Sequence, residues 1–456
     1  MKRVLAIASV ALRNAVCSRV LAVLMLLMAA CAVGLPLTIR GDGTLEGHVR
    51  ILLAYTLGFS SILLSISAVW SGCAAIAAEM RDRQIHLLMT KPVRPIELWL
   101  GKWLGLLALH GALLVFVFVA VYGMLAWTTR PALLPEEQRQ RLREEILVAR
   151  QTARPEEKGL EEAARAALEA EREAGRLPAD ADPAEAFRAL LHLHRVHFYA
   201  VPPGALREWT IPLPGSPDRT RPAFLQFRFS KSELNLESVA GQWFWGPAEA
   251  PRGSVAGAWP PEAVHTIPLP PGAIGPERDL RVAFGNADPA GATVFFDPDR
   301  GLELLVFRGG FAGNFLRAGL VLFFQIAFLS ALGLAAGAIF SMPVAAFVSV
   351  SLILMMRLSE YIGQVAQQRH ILGGAAGSPA LLRALDASLR LVFRILRTAL
   401  APLESPDALD LLAGGRLISW SLVGSMFLTQ AALYGGALAV LSAWILRRRE
   451  LGLPTT

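Results

Sequence analysis

Hydrophobic residues fall in blocks along this chain, with polar stretches between them. A helix needs about 20 apolar residues to cross the hydrocarbon of a bilayer. Six blocks reach that length: residues 20–39, 51–78, 100–127, 315–340, 344–365 and 420–446. Ahead of the first, residues 4–18 set Arg13 and Asn14 among Ala, Val and Leu, the pattern of an amphipathic helix on a membrane surface. After the third block the texture changes. Residues 134–195 are rich in Glu, Arg, Ala and Leu and read as two or three charged helices, broken near Pro155 and Pro178. Over 198–310, short runs such as "FLQFRFS", "GQWFWG", "LRVAF" and "LELLVF" alternate or stay apolar between Gly, Pro, Asn and Asp. That is the pattern of an antiparallel β-sandwich. The expected fold is an α-helical integral membrane bundle of six spans with an inserted α+β domain. Residues 1–127 hold spans one to three, 128–314 the insertion, and 315–456 spans four to six with a loop at 366–418.

Composition agrees with a membrane protein: 54% of residues are hydrophobic and 18% charged, at a mean hydropathy of +0.45. Charge then orients it. Residues 130–308 hold 22 basic and 26 acidic side chains, so the net charge of +7 belongs to the rest of the chain. Lys2, Arg3, Arg13 and Arg19 precede the first span, Arg81, Arg83, Lys91, Arg94 and Lys102 lie between spans two and three, and Arg447–Arg449 follow the sixth. With six spans all three clusters share one side. The positive-inside rule makes that side cytoplasmic, with both termini, and puts 128–314 outside the inner membrane. The same placement argues against nucleic acid as a partner.

The start "MKR…LLMAAC" is patterned like a lipoprotein signal ending at Cys31. Met28 is a poor residue three places before that cysteine, and apolar residues resume after it, which favours an uncleaved span. Cys17, Cys31 and Cys73 have no metal spacing.

The cytoplasmic stretch 79–99 carries more than a plain re-entry loop needs. Ile85, Leu88 and Met89 share one helical face, with Arg81, Asp82 and Lys91 on the other. Pro92 and Pro95 should end that helix at about Lys91. The segment suits a groove on a soluble partner, or else rests on lipid headgroups. Gly101 permits close backbone packing, and Lys102 can extend its ammonium to the interface. Glu79, the apolar Ile85-x-Leu87-Leu88, Lys91-Pro92-Val93-Arg94 and Gly101-Lys102 together resemble the cytoplasmic loop of ABC transporter permeases of the type 2 exporter class. The usual Gly-Thr of that pattern falls on Arg83-Gln84, and Pro95 follows Arg94 directly. The resemblance implies ATPase-coupling residues Glu79, Arg83, Ile85, Leu88, Pro92, Arg94, Gly101 and Lys102. It also implies a cytoplasmic ABC ATPase subunit, ATP and Mg bound on that partner, and a second copy of this chain or a homologous permease. No G-x-x-x-x-G-K-[ST] phosphate loop occurs in the sequence, so no cofactor is expected on this chain and ATP hydrolysis is expected on another.

Other candidates are weaker. Arg357 and Glu360 lie in the fifth block at i, i+3, where charge either faces the bundle interior or snorkels at the boundary. Asp297, Asp299 and Glu303 alternate like calcium ligands, or like a hairpin turn. His192, His194 and His197 lack metal spacing. Trp243 and Trp245 share a strand face that either stacks on a ligand or fills a core. No catalytic triad or carboxylate pair stands out, so enzymatic chemistry is not expected. The reading that competes with transport is a membrane-anchored binding or signalling protein whose β domain does the work.

Overall fold

The computed structural model describes residues 2–17, 19–38, 45–81, 93–130, 135–142, 146–177, 183–213, 215, 218, 220–233, 237–247, 251–274, 279–357, 380–400 and 407–448. The chain forms two compact units. One comprises Met1–Leu142, Ala312–Gly414 and Ile418–Thr456; the other, Arg143–Phe311 with Gly415–Leu417.

The first unit is helical. Helices α1 (Lys2–Val16) and α2 (Arg19–Thr38) precede α3 (Leu45–Ile51), which runs through a π-helical segment (Leu52–Leu57) into α4 (Gly58–Arg81). Helix α5 spans Pro95–Thr128 and a short α6 Glu136–Arg141. After the second unit come α9 (Phe311–Ile339), α10 (Met342–Arg357), α11 (Ala380–Leu400), α12 (Ala408–Ala413) and α13 (Trp420–Met426). A second π-helical segment (Phe427–Tyr434) leads into α14 (Gly435–Arg448).

Among the described residues four helices are long and apolar enough to cross a membrane: Gly47–Arg81, Pro95–Thr128, Phe311–Ile339 and Trp420–Arg448. Two expected spans, 20–39 and 344–365, coincide with shorter apolar helices, Ala22–Cys31 and Met342–Met355. Residues 358–379, into which the second would continue, lie outside the described residues. The long helices present bare apolar side chains, among them Phe116, Val119 and Val440. Such a surface is costly in water and neutral in lipid.

Small residues set the helix packing. A Cβ on Gly333 would sit 2.6 Å from the Val69 carbonyl, and one on Gly337 2.6 Å from that of Cys73. Helices α4 and α9 therefore touch backbone to backbone along Gly333-Leu-Ala-Ala-Gly337, a small-xxx-small seam of the kind that lets membrane helices approach. Trp99 is fully buried beside this seam, among Ile76, Leu106, Ala331, Leu334, Ala439 and Leu446.

Among the described residues the second unit is built of antiparallel sheets and two helices. Strand β1 (Val148–Ala153) is followed by α7 (Leu160–Glu173), α8 (Pro183–Phe198) and β2 (Ala200–Val201). Strands β3 (Leu206–Pro212), β4 (Ala223–Phe227), β5 (Phe229–Lys231), β6 (Val239–Trp245) and β7 (Gly253–Trp259) come next. The last four are β8 (His265–Leu269), β9 (Asp279–Asn286), β10 (Val294–Phe296) and β11 (Leu302–Gly310). The sheet orders are β1-β11-β4-β8, β2-β10-β5 and β3-β9-β6-β7. All three contribute to one aromatic core, where the Trp243 ring centroid lies 5.0 Å from those of Phe227 and Phe284 and 5.5 Å from that of Phe296.

Two expectations need correction. The segment 134–195, read as helical, contains β1, which pairs with β11. Partners distant in sequence override the helical bias of its Glu/Arg/Ala-rich surroundings. The insertion boundary at 128–314 also misses three residues of the later loop. Arg150 N–H donates to the Gly415 carbonyl and Leu417 N–H to the Arg150 carbonyl, both at 2.8 Å, so Gly415–Leu417 bridges β1 in parallel. Arg416 then reaches Glu303, which is 1% exposed and also held by Arg154. A buried carboxylate between two guanidiniums fixes that attachment.

Candidate functional site

The stretch between α4 and α5 begins and ends in a defined geometry. Pro95 occupies the first turn of α5, where its missing N–H costs nothing. Arg94 is the N-cap, and its backbone N–H donates to the Glu97 carboxylate at 3.0 Å, half of a capping box. Pro95 thus opens the next helix, five residues before the expected start of the third span. Residues 82–92, and with them Arg83, Ile85, Leu88 and Pro92, lie outside the described residues.

Glu79, in the last turn of α4, and Lys102, in the second turn of α5, form an ion pair at 2.6 Å. The Lys102 side chain is 4% exposed and that of Glu79 18%. The same ammonium donates to the Ala75 carbonyl, also at 2.6 Å. Lys102 therefore grips two consecutive turns of α4, one through charge and one through the backbone. Burial leaves the Lys102 ammonium no solvent alternative, so removing Glu79 strands it.

On the neighbouring face of α5, Gly101 and Gly105 form a groove for α1. A Cβ on Gly101 would meet Ile7 at 2.6 Å, and one on Gly105 the Ala8 carbonyl at 2.6 Å. The expected close approach at Gly101 is therefore to α1, which lies along α5. Of the expected coupling residues, Glu79 and Lys102 meet, whereas Arg94 caps the start of α5 and Gly101 faces α1.

Two features went unread in the sequence. His110 on α5 is fully buried. Its Nδ1 donates to the Leu106 carbonyl at 2.8 Å, and Nε2 lies 3.1 Å from the Ser67 hydroxyl on α4. A carbonyl can only accept, so Nδ1 carries a proton; with the ring neutral, Nε2 then accepts from the Ser67 hydroxyl. A lone histidine deep in an apolar block was the signal. The second is a cavity of about 380 Å³ lined by Ser61, Ser65, Gln325, Asp407, Asp410 and apolar residues such as Leu114. No pattern in sequence joins α4, α9 and α12.

The remaining candidates do not converge. Asp297 accepts from the Asp299 backbone N–H at 2.8 Å, Asp299 pairs with Arg195 at 3.1 Å, and Glu303 is taken by Arg154 and Arg416. These partners replace the calcium loop considered from spacing. Among the described residues no group of His, Cys, Asp or Glu could hold a metal ion. His192, His194 and His197 all lie on α8. Trp243 and Trp245 are buried, so their faces serve the core and are not open for stacking. Arg357 closes α10; its side chain and Glu360 fall outside the described residues. Comparison with family models, curated proteins and solved structures finds no match to the chain.

Proposed function

We propose that the chain is the membrane-spanning permease subunit of an ATP-driven exporter, working as a pair of permeases with two cytoplasmic ATPases. The buried Glu79–Lys102 pair at the base of the 79–99 stretch is the observation that carries this reading. A push on that stretch reaches α4 and α5 together, because the pair holds them at a fixed separation. The seam at Gly333 and Gly337 hands the displacement from α4 to α9. Six spans, with both termini in the cytoplasm of a cell whose inner membrane holds the protein, complete the arrangement, and alternating access follows from ATP-driven closure of the partners. The 380 Å³ cavity, of mixed polar and apolar lining, gives a small solute room on such a path. The rival reading, a membrane-anchored binding or signalling protein whose β domain does the work, differs in needing no ATPase partner.

Affinity purification of the tagged chain from mild detergent tests the proposal. An ATPase with a phosphate loop should co-purify, and Leu88→Asp should release it while leaving the chain folded. Recovery of the chain without any ATPase from its native membrane overturns the reading.

A further inference from the structure

Helix α11 (Ala380–Leu400) is arranged with the reverse of the usual burial. Asp386 is 4% exposed and pairs with Arg390 at 3.0 Å. Leu381, Leu391, Val392 and Ile395 are all at least half exposed, with Leu381 at 73%. At 3.6 residues per turn, the exposed apolar arc from Leu391 through Ile395, Leu381 and Leu385 to Leu382 spans about 180°. Arg383, Arg390, Arg394 and Arg397 fall on the other half by register, and Arg394 is exposed at its flank.

We infer that α11 is an interfacial helix that binds the bilayer surface, with its leucine face among acyl chains and its Arg394 flank at the headgroups of anionic lipids. The inference rests on the membrane placement of the chain and is independent of transport. Three arguments select the lipid surface. An apolar arc of about 180° exceeds the roughly 100° stripe that one packed helix covers, whereas a bilayer covers a whole half-cylinder. Arginine is costly at the centre of a span, so four of them hold the 21-residue helix at headgroup depth instead of across the membrane. The register face carries four arginines and one aspartate, and this positive charge complements phosphatidylglycerol.

The test uses the full chain in lipid nanodiscs, with Cys17 and Cys31 replaced by serine. A fluorophore is placed at Ile395→Cys, at Val119→Cys on α5 and at Val264→Cys in the β unit. Quenchers are attached to lipid acyl chains or dissolved in the buffer. Ile395 should be quenched by lipid-borne groups to the same extent as Val119 and protected from iodide, while Val264 shows the reverse. Phosphatidylglycerol should increase the lipid quenching at Ile395, and Arg394→Gln should abolish the increase. Iodide quenching at Ile395 equal to that at Val264, with Val119 still lipid-quenched, overturns the inference and leaves the membrane placement standing. Disulfide cross-linking of Ile395→Cys between two copies overturns it in favour of a protein contact. Loss of lipid quenching at Val119 removes the membrane placement itself.

Discussion

Lys102 and Glu303 show what a buried charge demands of its neighbours. Each is nearly inaccessible and each has two partners: Glu79 and the Ala75 carbonyl for Lys102, and Arg154 and Arg416 for Glu303. Lys102→Met leaves the half-buried Glu79 carboxylate without its counter-charge, and the expected loss of stability is about 1–3 kcal/mol. The Glu79→Leu, Lys102→Met double variant should recover most of it, because two apolar groups of similar size leave nothing unpaired. A double-mutant cycle on thermal unfolding in detergent checks both; additive losses would rule out the pairing. Tyr199 gives a pH-dependent prediction. Burial and the neighbouring Glu157 carboxylate hold its phenol well above the usual value of 10.0. The unfolded chain therefore ionises first, and this contribution, complete below about pH 10, is lost as pH rises toward the folded value. Wild type should lose stability above pH 10 more steeply than Tyr199→Phe. Equal slopes of melting temperature against pH would contradict this.

Elements differ in how much of them the sequence made legible. The apolar blocks fixed the long helices because span length is a property of local composition. Strand β6 was legible through its strict alternation, with Trp243 and Trp245 inward. Strand β1 was not, since Arg150, Gln151 and Thr152 gain strand geometry only from β11 and Gly415–Leu417. Both members of the Glu79–Lys102 pair were flagged separately, but their meeting depends on two helices packing. The α4–α9 seam carries its own prediction. Gly333→Val pushes a side chain into the Val69 carbonyl, which cannot rotate away, and should destabilise by about 1–3 kcal/mol or more. Gly123→Ala, which meets nothing within 4 Å, should be neutral or slightly stabilising. Melting temperatures of the purified variants distinguish the two, and an unaffected Gly333→Val protein would refute the close contact.

For the whole molecule, the proposed topology makes a directional prediction. Cysteines at Lys2 and Arg448 should react with impermeant maleimide only from the cytoplasmic face, and one at Val264 only from the other. Labelling of Lys2 and Arg448 from opposite faces would change the number of spans to an odd one.

The attachment of Gly415–Leu417 to β1 also has a consequence in time. Ribosomes make about 5–20 residues each second, so the roughly one hundred residues between β11 and Gly415 take on the order of 5–20 s to appear. During that interval the outer edge of β1 has no neighbour and Glu303 has only Arg154. An unpaired strand edge invites association with other chains. The β unit is thus most vulnerable to aggregation in a nascent chain that has finished Gly310 and not yet reached Leu417, and a chaperone would find its substrate in that window.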